Sequence, residues 1–420
     1  MMCSWTAMEV ISHFKAGGAP VYSCCLDYRK AFDVINHVKM FQILIDRKVN
    51  LIFVRLMIII YLMQRCYIRW QETRSYSFSV TNGTRQGSVF SPRGGFACYL
   101  DTLLVELKNS GQGCSIGQHW YGALALADDV ILLATNLQSL QDMIRICEEH
   151  AKEYELTFST DPDPSKSKTV CLAFNDKKWK DLPKMKLNGD ELPWKEQHKH
   201  LGNKLHCSGN MEQDAREKRG RFVSNAMDLN QQYSFASTEV KLRMLRLYLT
   251  SFFGSNTWDF TSPIVKQFGN SWNRNIRVMF NLPLNSKCWI VEELSQGRHF
   301  RQMIFSRFIK FVNSLKTNRR PMVQSLCRIA SADIRMITGR NLMTIGEETG
   351  VFVRVGVTSP QEIGDWRVYK PEVGEEWRFP LVVSLLEIRD KNWELKFNEE
   401  KETLEDQEIQ TILNDISTGN

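Results

Sequence analysis

The sequence predicts an α+β fold, and three observations carry that prediction. The run from Ala123 to Ala134 sets two apolar arms around the pair Asp128-Asp129, the pattern of an antiparallel hairpin. The apolar run Val21 to Leu26 ends at Asp27, and Val34, Ile35, Val38, Phe41, Leu44 and Ile45 then recur at helical spacing, giving strand, sharp turn and helix. From about Asp214 the strand signals give way to helices rich in Arg and Lys. Strands and helices segregated along one chain describe an α+β architecture.

Size and charge bound what such a chain does. With 420 residues, 43% apolar and 24% charged, it has ordinary globular composition and room for two or three domains, which excludes disorder throughout. The formal charge is +7, but residues from 361 onward hold 15 acidic against 7 basic groups, leaving +15 on residues 1–360. A basic body with an acidic tail points to a polyanion partner, most simply nucleic acid; a generally basic surface is the plainer alternative. Met1-Met2-Cys3-Ser4-Trp5 has neither a basic segment nor a long apolar core, so no secretory leader is expected. Leu51 to Met63 is apolar but short and broken by Arg55, which predicts a buried helix and no membrane span. The expectation is a soluble intracellular protein, nuclear or cytoplasmic. Eleven cysteines without a Cys-x-x-Cys pair predict reduced thiols and no disulfides. His198, His200, His206 and Cys207 bear some likeness to zinc ligands, but no recognised spacing fits.

The remaining elements follow in order. Tyr76 to Val80 alternates apolar and polar residues and predicts a half-buried strand. It leads through the turn Asn82-Gly83 to a polar stretch, Thr84 to Pro92, in which Gly87 permits close approach and Arg85 with Gln86 supplies donors. A plain loop before a helix would read alike. Phe96, Leu100, Leu103, Leu104 and Leu107 then share one helical face. Gly111 to Gly117 turns the chain into the Asp-Asp hairpin, and Leu137, Leu140, Met143, Ile144 and Cys147 mark the helix behind it. Pro162 and Pro164 forbid helix before Lys166 and Lys168, which precede the apolar run Val170 to Phe174. Short strands and turns are expected between Leu182 and Leu205. Beyond them Arg216, Lys218, Arg219 and Arg221, then Lys241, Arg243 and Arg246, alternate with Phe252, Phe253, Trp258, Phe260, Trp272 and Phe280. Such interleaving suits a phosphate backbone and stacked bases, or simply an aromatic core.

Placing the strand that ends at Asp27 beside the hairpin brings three carboxylates together. A cluster of that kind is costly unless it holds hard cations, and oxygen ligands completed by substrate phosphates are what Mg²⁺ prefers. Asp27 as a cap or as an ion-pair partner of Arg29 or Lys30 is the competing structural reading.

In sequence and in order, Asp-Tyr-Arg-Lys-Ala-Phe-Asp at 27–33, Arg-Gln-Gly-Ser-Val-Phe-Ser-Pro at 85–92, Ala-Asp-Asp at 127–129, Lys-Ser-Lys at 166–168 and His-Leu-Gly at 200–202 resemble motifs A to E of reverse transcriptases, most closely those of non-LTR (LINE-type) retrotransposons. The resemblance implies a right-hand polymerase palm, an antiparallel sheet with helices on its back, over 1–205. A basic helical thumb over 206–330 would follow, then an extension over 331–420. It implies RNA-directed DNA polymerisation from dNTPs on an RNA template and a DNA primer, with two Mg²⁺ ions, or Mn²⁺ in their place. Asp27, Asp128 and Asp129 match the metal-binding triad, with the Tyr28 carbonyl as a further ligand. Phe32 matches the ring that excludes a 2′-hydroxyl; Arg85, Gln86 and Gly87 match the nucleotide pocket. Lys166 matches the motif D lysine, and His200, Leu201 and Gly202 match the primer grip.

Departures leave the activity open. Leu126 stands where an aromatic residue is usual, Phe90 where leucine is usual, and Arg93-Gly94-Gly95 where helix formers are expected; each glycine in a helix costs about 1 kcal/mol relative to alanine. The chain starts about 25 residues before Asp27, so most of a fingers subdomain, and an upstream endonuclease, are expected to be missing. Three readings stand side by side: an RNA-directed DNA polymerase, a truncated and inactive retrotransposon remnant that at most binds nucleic acid, and a fragment that does not fold stably.

Overall fold

A computed structural model describes residues 1–85, 96–161, 163, 166–288, 290–291 and 299–349. The chain divides into two units, residues 18–201 and residues 1–17 together with 202 onward. Helix α1 (Met2–Ala16) belongs to the second and is taken up with it.

In the first unit, β1 (Val21–Leu26) is apolar along its length because both of its faces and both of its edges are covered. The Asn36 side chain caps α2 (His37–Asp46) by accepting from Val38 N and Lys39 N, so the helix starts later than apolar spacing suggests and Val38 faces water. Helix α3 (Leu51–Leu62) follows. Residues 65–79 form the short ladders β2 (Arg65–Cys66) with β5 (Phe78–Ser79) and β3 (Arg69–Trp70) with β4 (Thr73–Arg74). Then come α4 (Ala97–Asn109), the small pair β6 (Ser115–Ile116) and β7 (His119–Trp120), the hairpin β8 (Ala123–Leu126) and β9 (Asp129–Ala134), α5 (Leu137–Glu153) and β10 (Val170–Phe174). The pair β11 (Met185–Leu187) and β12 (Asp190–Leu192) precedes β13 (Gln197–His200).

The core of this unit is a four-stranded antiparallel sheet in the order β10-β1-β9-β8. Cys24 sits opposite Leu132 on one side and Cys171 on the other. A hydrogen bond to Cys171 and burial push the Cys24 thiol well above its usual range. Helices α4 and α5 cover the sheet with Phe96, Leu100, Leu103, Leu140, Met143 and Ile144.

Two expectations are corrected here. The apolar helix expected to be buried is α3, yet only Val54, Met57 and Tyr61 are buried, while Leu51, Ile52, Leu56, Ile59 and Leu62 face solvent. The alternation over Tyr76 to Val80 gives only the two-residue β5, exposed, because its partner β2 is itself a two-residue ladder away from the core sheet.

In the second unit, β14 (Asn203–His206) leads into α6 (Glu212–Gln232), α7 (Thr238–Met244), α8 (Pro263–Met279), α9 (Phe300–Lys316), α10 (Pro321–Ala332) and α11 (Ile337–Thr349). The aromatic residues of its sequence build the core: Phe222 stacks on Trp272 at 5.7 Å, Phe268 on Phe300 at 4.8 Å, and Phe252 touches all four. Trp258, Phe260, Trp272 and Phe280 are buried and unavailable to bases, which leaves Phe253 as the half-exposed member of the set. Part of the basic run is also structural. Buried Asp214 accepts from Lys218 Nζ, Trp258 Nε1 and Lys204 N, and desolvation lowers the Lys218 pKa.

Helix α1 is packed into this unit along most of its length, against α10 and α11. Trp5 Nε1 donates to Thr338 Oγ1 at 3.0 Å, and Glu9 Oε1 accepts from Thr338 N at 2.9 Å and from its hydroxyl at 2.6 Å. Burial raises the Glu9 carboxyl to about 7 despite those bonds. A carboxyl raised on folding contributes stability that is complete below about 4.5 and lost as pH rises through about 7. Denaturant unfolding between pH 4.5 and 7.5 should therefore show stability falling by as much as about 3 kcal/mol, and Glu9→Gln should flatten that slope.

Candidate active site

Leu126 pairs with Asp129, so the turn between β8 and β9 holds two residues, Ala127 and Asp128. Ala127 takes φ 52, a left-handed backbone that the tight hairpin demands and that alanine tolerates poorly. The tip expected to hold both aspartates thus places Asp128 in the turn and Asp129 as the first residue of β9. Asp27 follows Leu26, whose partner across the sheet is Val130, so Asp27 and Asp129 end up at neighbouring strand ends. Burial pushes the Asp129 carboxyl up, and the negative charges of Asp128 and Asp27 push it further. Asp128 and Asp27 are thus both within electrostatic reach of Asp129.

The loop after β1 is pinned by backbone bonds. Asp27 N donates to Thr169 Oγ1 at 3.2 Å and its carbonyl accepts from Ser159 N at 2.7 Å; Arg29 N donates to the Thr157 carbonyl at 2.8 Å. The Arg29 guanidinium goes to the Thr160 carbonyl, and among the described residues no ion pair joins it to Asp27. The Tyr28 ring is buried 4.7 Å from Phe158 and 6.0 Å from Phe96. Sequence reading did not single out Thr157, Ser159 or Thr169, and the first two act through backbone atoms, which residue identity does not signal.

Phe32 is half-buried with its ring 5.2 Å from Phe96. Its carbonyl accepts from Thr84 N at 2.7 Å, Gly83 N donates to the Ile35 carbonyl at 2.8 Å, and the His37 ring meets the Gly83 carbonyl at 2.7 Å. Gly83 has φ 85, and a Cβ there would lie 2.8 Å from the Asp33 carbonyl, so this approach requires glycine. The contact carries the chain from Phe32 to Arg85, which donates to Gln64 Oε1 at 2.9 Å and to the Ile60 carbonyl. Gln86 and Gly87 lie outside the described residues, as do Phe90 and Arg93 to Gly95.

The other expected residues are not joined to the carboxylates by any described bond. Lys166 is exposed, with Nζ 3.4 Å from Asp163. His200 is buried without a hydrogen-bond partner among the described residues, and burial followed by the nearby His198 lowers its pKa to about 4, so it is neutral. Leu201 and Gly202 both take left-handed backbone, φ 49 and 78. A cavity of about 440 Å³ in the second unit is lined by Lys15, Glu212, Asp259, Arg335 and Arg340 and holds none of the three aspartates.

Residues 6–205 match the family described as reverse transcriptase (RNA-dependent DNA polymerase). Over 152 residues the chain is 29% identical to a retrovirus-related Pol polyprotein from type-1 retrotransposable element R2 of Nasonia vitripennis. That stretch takes in 36% of this chain and 14% of the relative, so the chain spans a small part of the length of the curated relative it matches.

Oxygen-donor groups so placed that burial, and then the charges of Asp128 and Asp27, raise the Asp129 carboxyl suit a hard divalent cation, which relieves the repulsion. Millimolar Mg²⁺ or Mn²⁺ should raise the thermal midpoint of the chain at pH 7, and Asp129→Asn should remove most of the rise. Equal shifts in the two proteins would detach the cation from this cluster.

Proposed function

We propose, from the premise that residues 6–205 are a reverse transcriptase domain of the non-LTR retrotransposon kind, that this domain joins deoxynucleotides to the 3′ end of a DNA primer on an RNA template. The observation that carries the reading is the convergence of Asp27, Asp128 and Asp129 at neighbouring strand ends of the sheet, close enough for two of them to raise the pKa of the third. Asp27, Asp128 and Asp129, with the Tyr28 carbonyl, would hold two Mg²⁺ ions, or Mn²⁺. Ions held by these carboxylates would supply activation of an attacking 3′-hydroxyl and neutralisation of charge on the departing pyrophosphate.

The chain's own side chains have separate tasks in this reading. Phe32, backed by Phe96 and fixed through its carbonyl to Thr84, sets a ring under the sugar that a 2′-hydroxyl would strike. Arg85, braced by Gln64, would contact the incoming nucleotide; Gln86 and Gly87, the other residues of that pocket in this reading, lie outside the described residues. Lys166, exposed and 3.4 Å from Asp163, would supply charge or a proton to pyrophosphate. His200, Leu201 and Gly202 hold the primer end. The 18–201 unit serves as palm, and the helical unit from about 206 serves as thumb along the template–primer duplex.

Primer extension on an RNA template with dNTPs and Mg²⁺ tests this. The wild type should extend the primer, and Asp128→Ala should lose synthesis by about 10³-fold or more while primer–template affinity in low salt stays within about twofold. Synthesis undiminished in that variant would remove the site assignment. No synthesis from folded wild-type protein that still binds would reduce the function to nucleic-acid binding.

In the same assay Phe32→Val should raise ribonucleotide use relative to deoxynucleotide use, on the order of 10–200-fold. Unchanged sugar discrimination would remove Phe32 from that task.

A further inference from the structure

Residues 65–79 form a hairpin that buries almost nothing. Arg65 pairs with Ser79, Cys66 with Phe78, Arg69 with Arg74 and Trp70 with Thr73. The register slips by one residue between the two ladders, and Ser75 N donating to the Ile68 carbonyl marks where the outer ladder resumes. Gln71 at the tip takes φ 51.

Alternation puts Arg65, Tyr67 and Arg69 on one face. Arg74 joins them, because it lies opposite Arg69 and its guanidinium sits 5.0 Å over the Tyr67 ring. Tyr76, 98% exposed, follows on the same strand, and Trp70, 76% exposed, gives the other face a ring. The chain therefore holds rings in water that make no core contact. It also sets two guanidinium groups directly opposite each other, a pairing that destabilises a ladder. The carboxylate beside Arg69 is Glu72, at 4.0 Å and almost wholly exposed, too solvated to cancel the repulsion.

A partner that brings both negative charge and flat apolar faces removes both costs at once. We propose that the Arg65–Tyr67–Arg69–Arg74 face, with Tyr76, binds single-stranded nucleic acid, the arginines meeting phosphates and the rings stacking on unpaired bases. A duplex hides its base faces and offers such rings nothing to stack on, whereas a single strand exposes them. This goes beyond the polymerase reading, since none of the carboxylates takes part.

The test uses the full chain carrying Asp128→Asn, so that binding is read without catalysis. Anisotropy is measured with a labelled oligoribonucleotide of about twelve bases, the DNA of the same sequence, and the duplex of the two, over a range of salt. Tyr67→Ala with Tyr76→Ala should weaken single-strand affinity at least tenfold and leave duplex affinity within about twofold. Arg69→Gln with Arg74→Gln should reduce the salt slope by about two. A 4-thiouridine strand should crosslink to the 65–79 peptide. RNA and DNA arms that differ decide which strand the face takes. Single-strand affinity and salt slope unchanged in both variants, with crosslinks elsewhere, would overturn the proposal. So would a loss of self-association with no change in strand affinity, which makes the face a contact between copies. If the tyrosine variant loses its circular dichroism, the arginine variant and the crosslink map decide alone. Primer extension by the Asp128-intact chain fails or succeeds independently of these readings.

Discussion

β1 is paired on both edges, and that double pairing is the constraint on which the first unit depends. A strand buried on both faces and hydrogen-bonded on both sides has no freedom in register, because a slip of one residue would turn every side chain to the other face. Its C-terminal residue is consequently delivered to one place, the end of the sheet where the β8–β9 turn also lies. Three carboxylates are held at that place against their mutual repulsion, and the sheet pairing, together with α4 and α5 packed on it, supplies the restraint. The strained Ala127 belongs to the same arrangement: a longer, relaxed turn would let Asp128 swing away.

The pinned loop extends the constraint toward the substrate side. Thr157 to Ser159 and Thr169 fix Asp27 and Arg29, and Gly83 with Thr84 fixes the carbonyls of Phe32 and Ile35. The Phe32 and Ile35 carbonyls thus hang from main-chain donors, whereas Asp27 N and Arg85 depend on the side chains of Thr169 and Gln64. The second unit uses different means. Its rigidity comes from stacked rings and from Asp214, whose carboxylate meets three donors at once.

Much of this was legible in the residues. Val21 to Leu26, the 123–134 hairpin, the helical stripes of α4 and α5 and the run Val170 to Phe174 all lie where periodicity put them, because each depends on burial of one pattern against one sheet. The family likewise followed from short motifs in order. Elements whose environment is not local were misread. Apolar spacing in α3 says nothing of how many faces find a neighbour, and the alternation at Tyr76 to Val80 does not reveal that its partner strand is short and exposed. The basic and aromatic run after 214 carried two readings, and ring packing within the helices decided for the core at Trp258, Phe260 and Trp272. Backbone clamps such as Ser159 on Asp27 leave no mark in residue identity.

The docking of α1 on α11 has a consequence for the order in which the chain takes shape. Trp5 and Glu9 find Thr338 across 333 and 329 residues of sequence. At 5–20 residues added per second, a ribosome takes roughly 15–65 s to reach that partner. Residues 2–16 cannot complete these contacts before Thr338 has been made, whereas residues 18–201 form a unit of their own. Contacts that span so much sequence are formed slowly, and the helical unit is complete only with them. Its assembly is the step most exposed to chaperones and to misassociation.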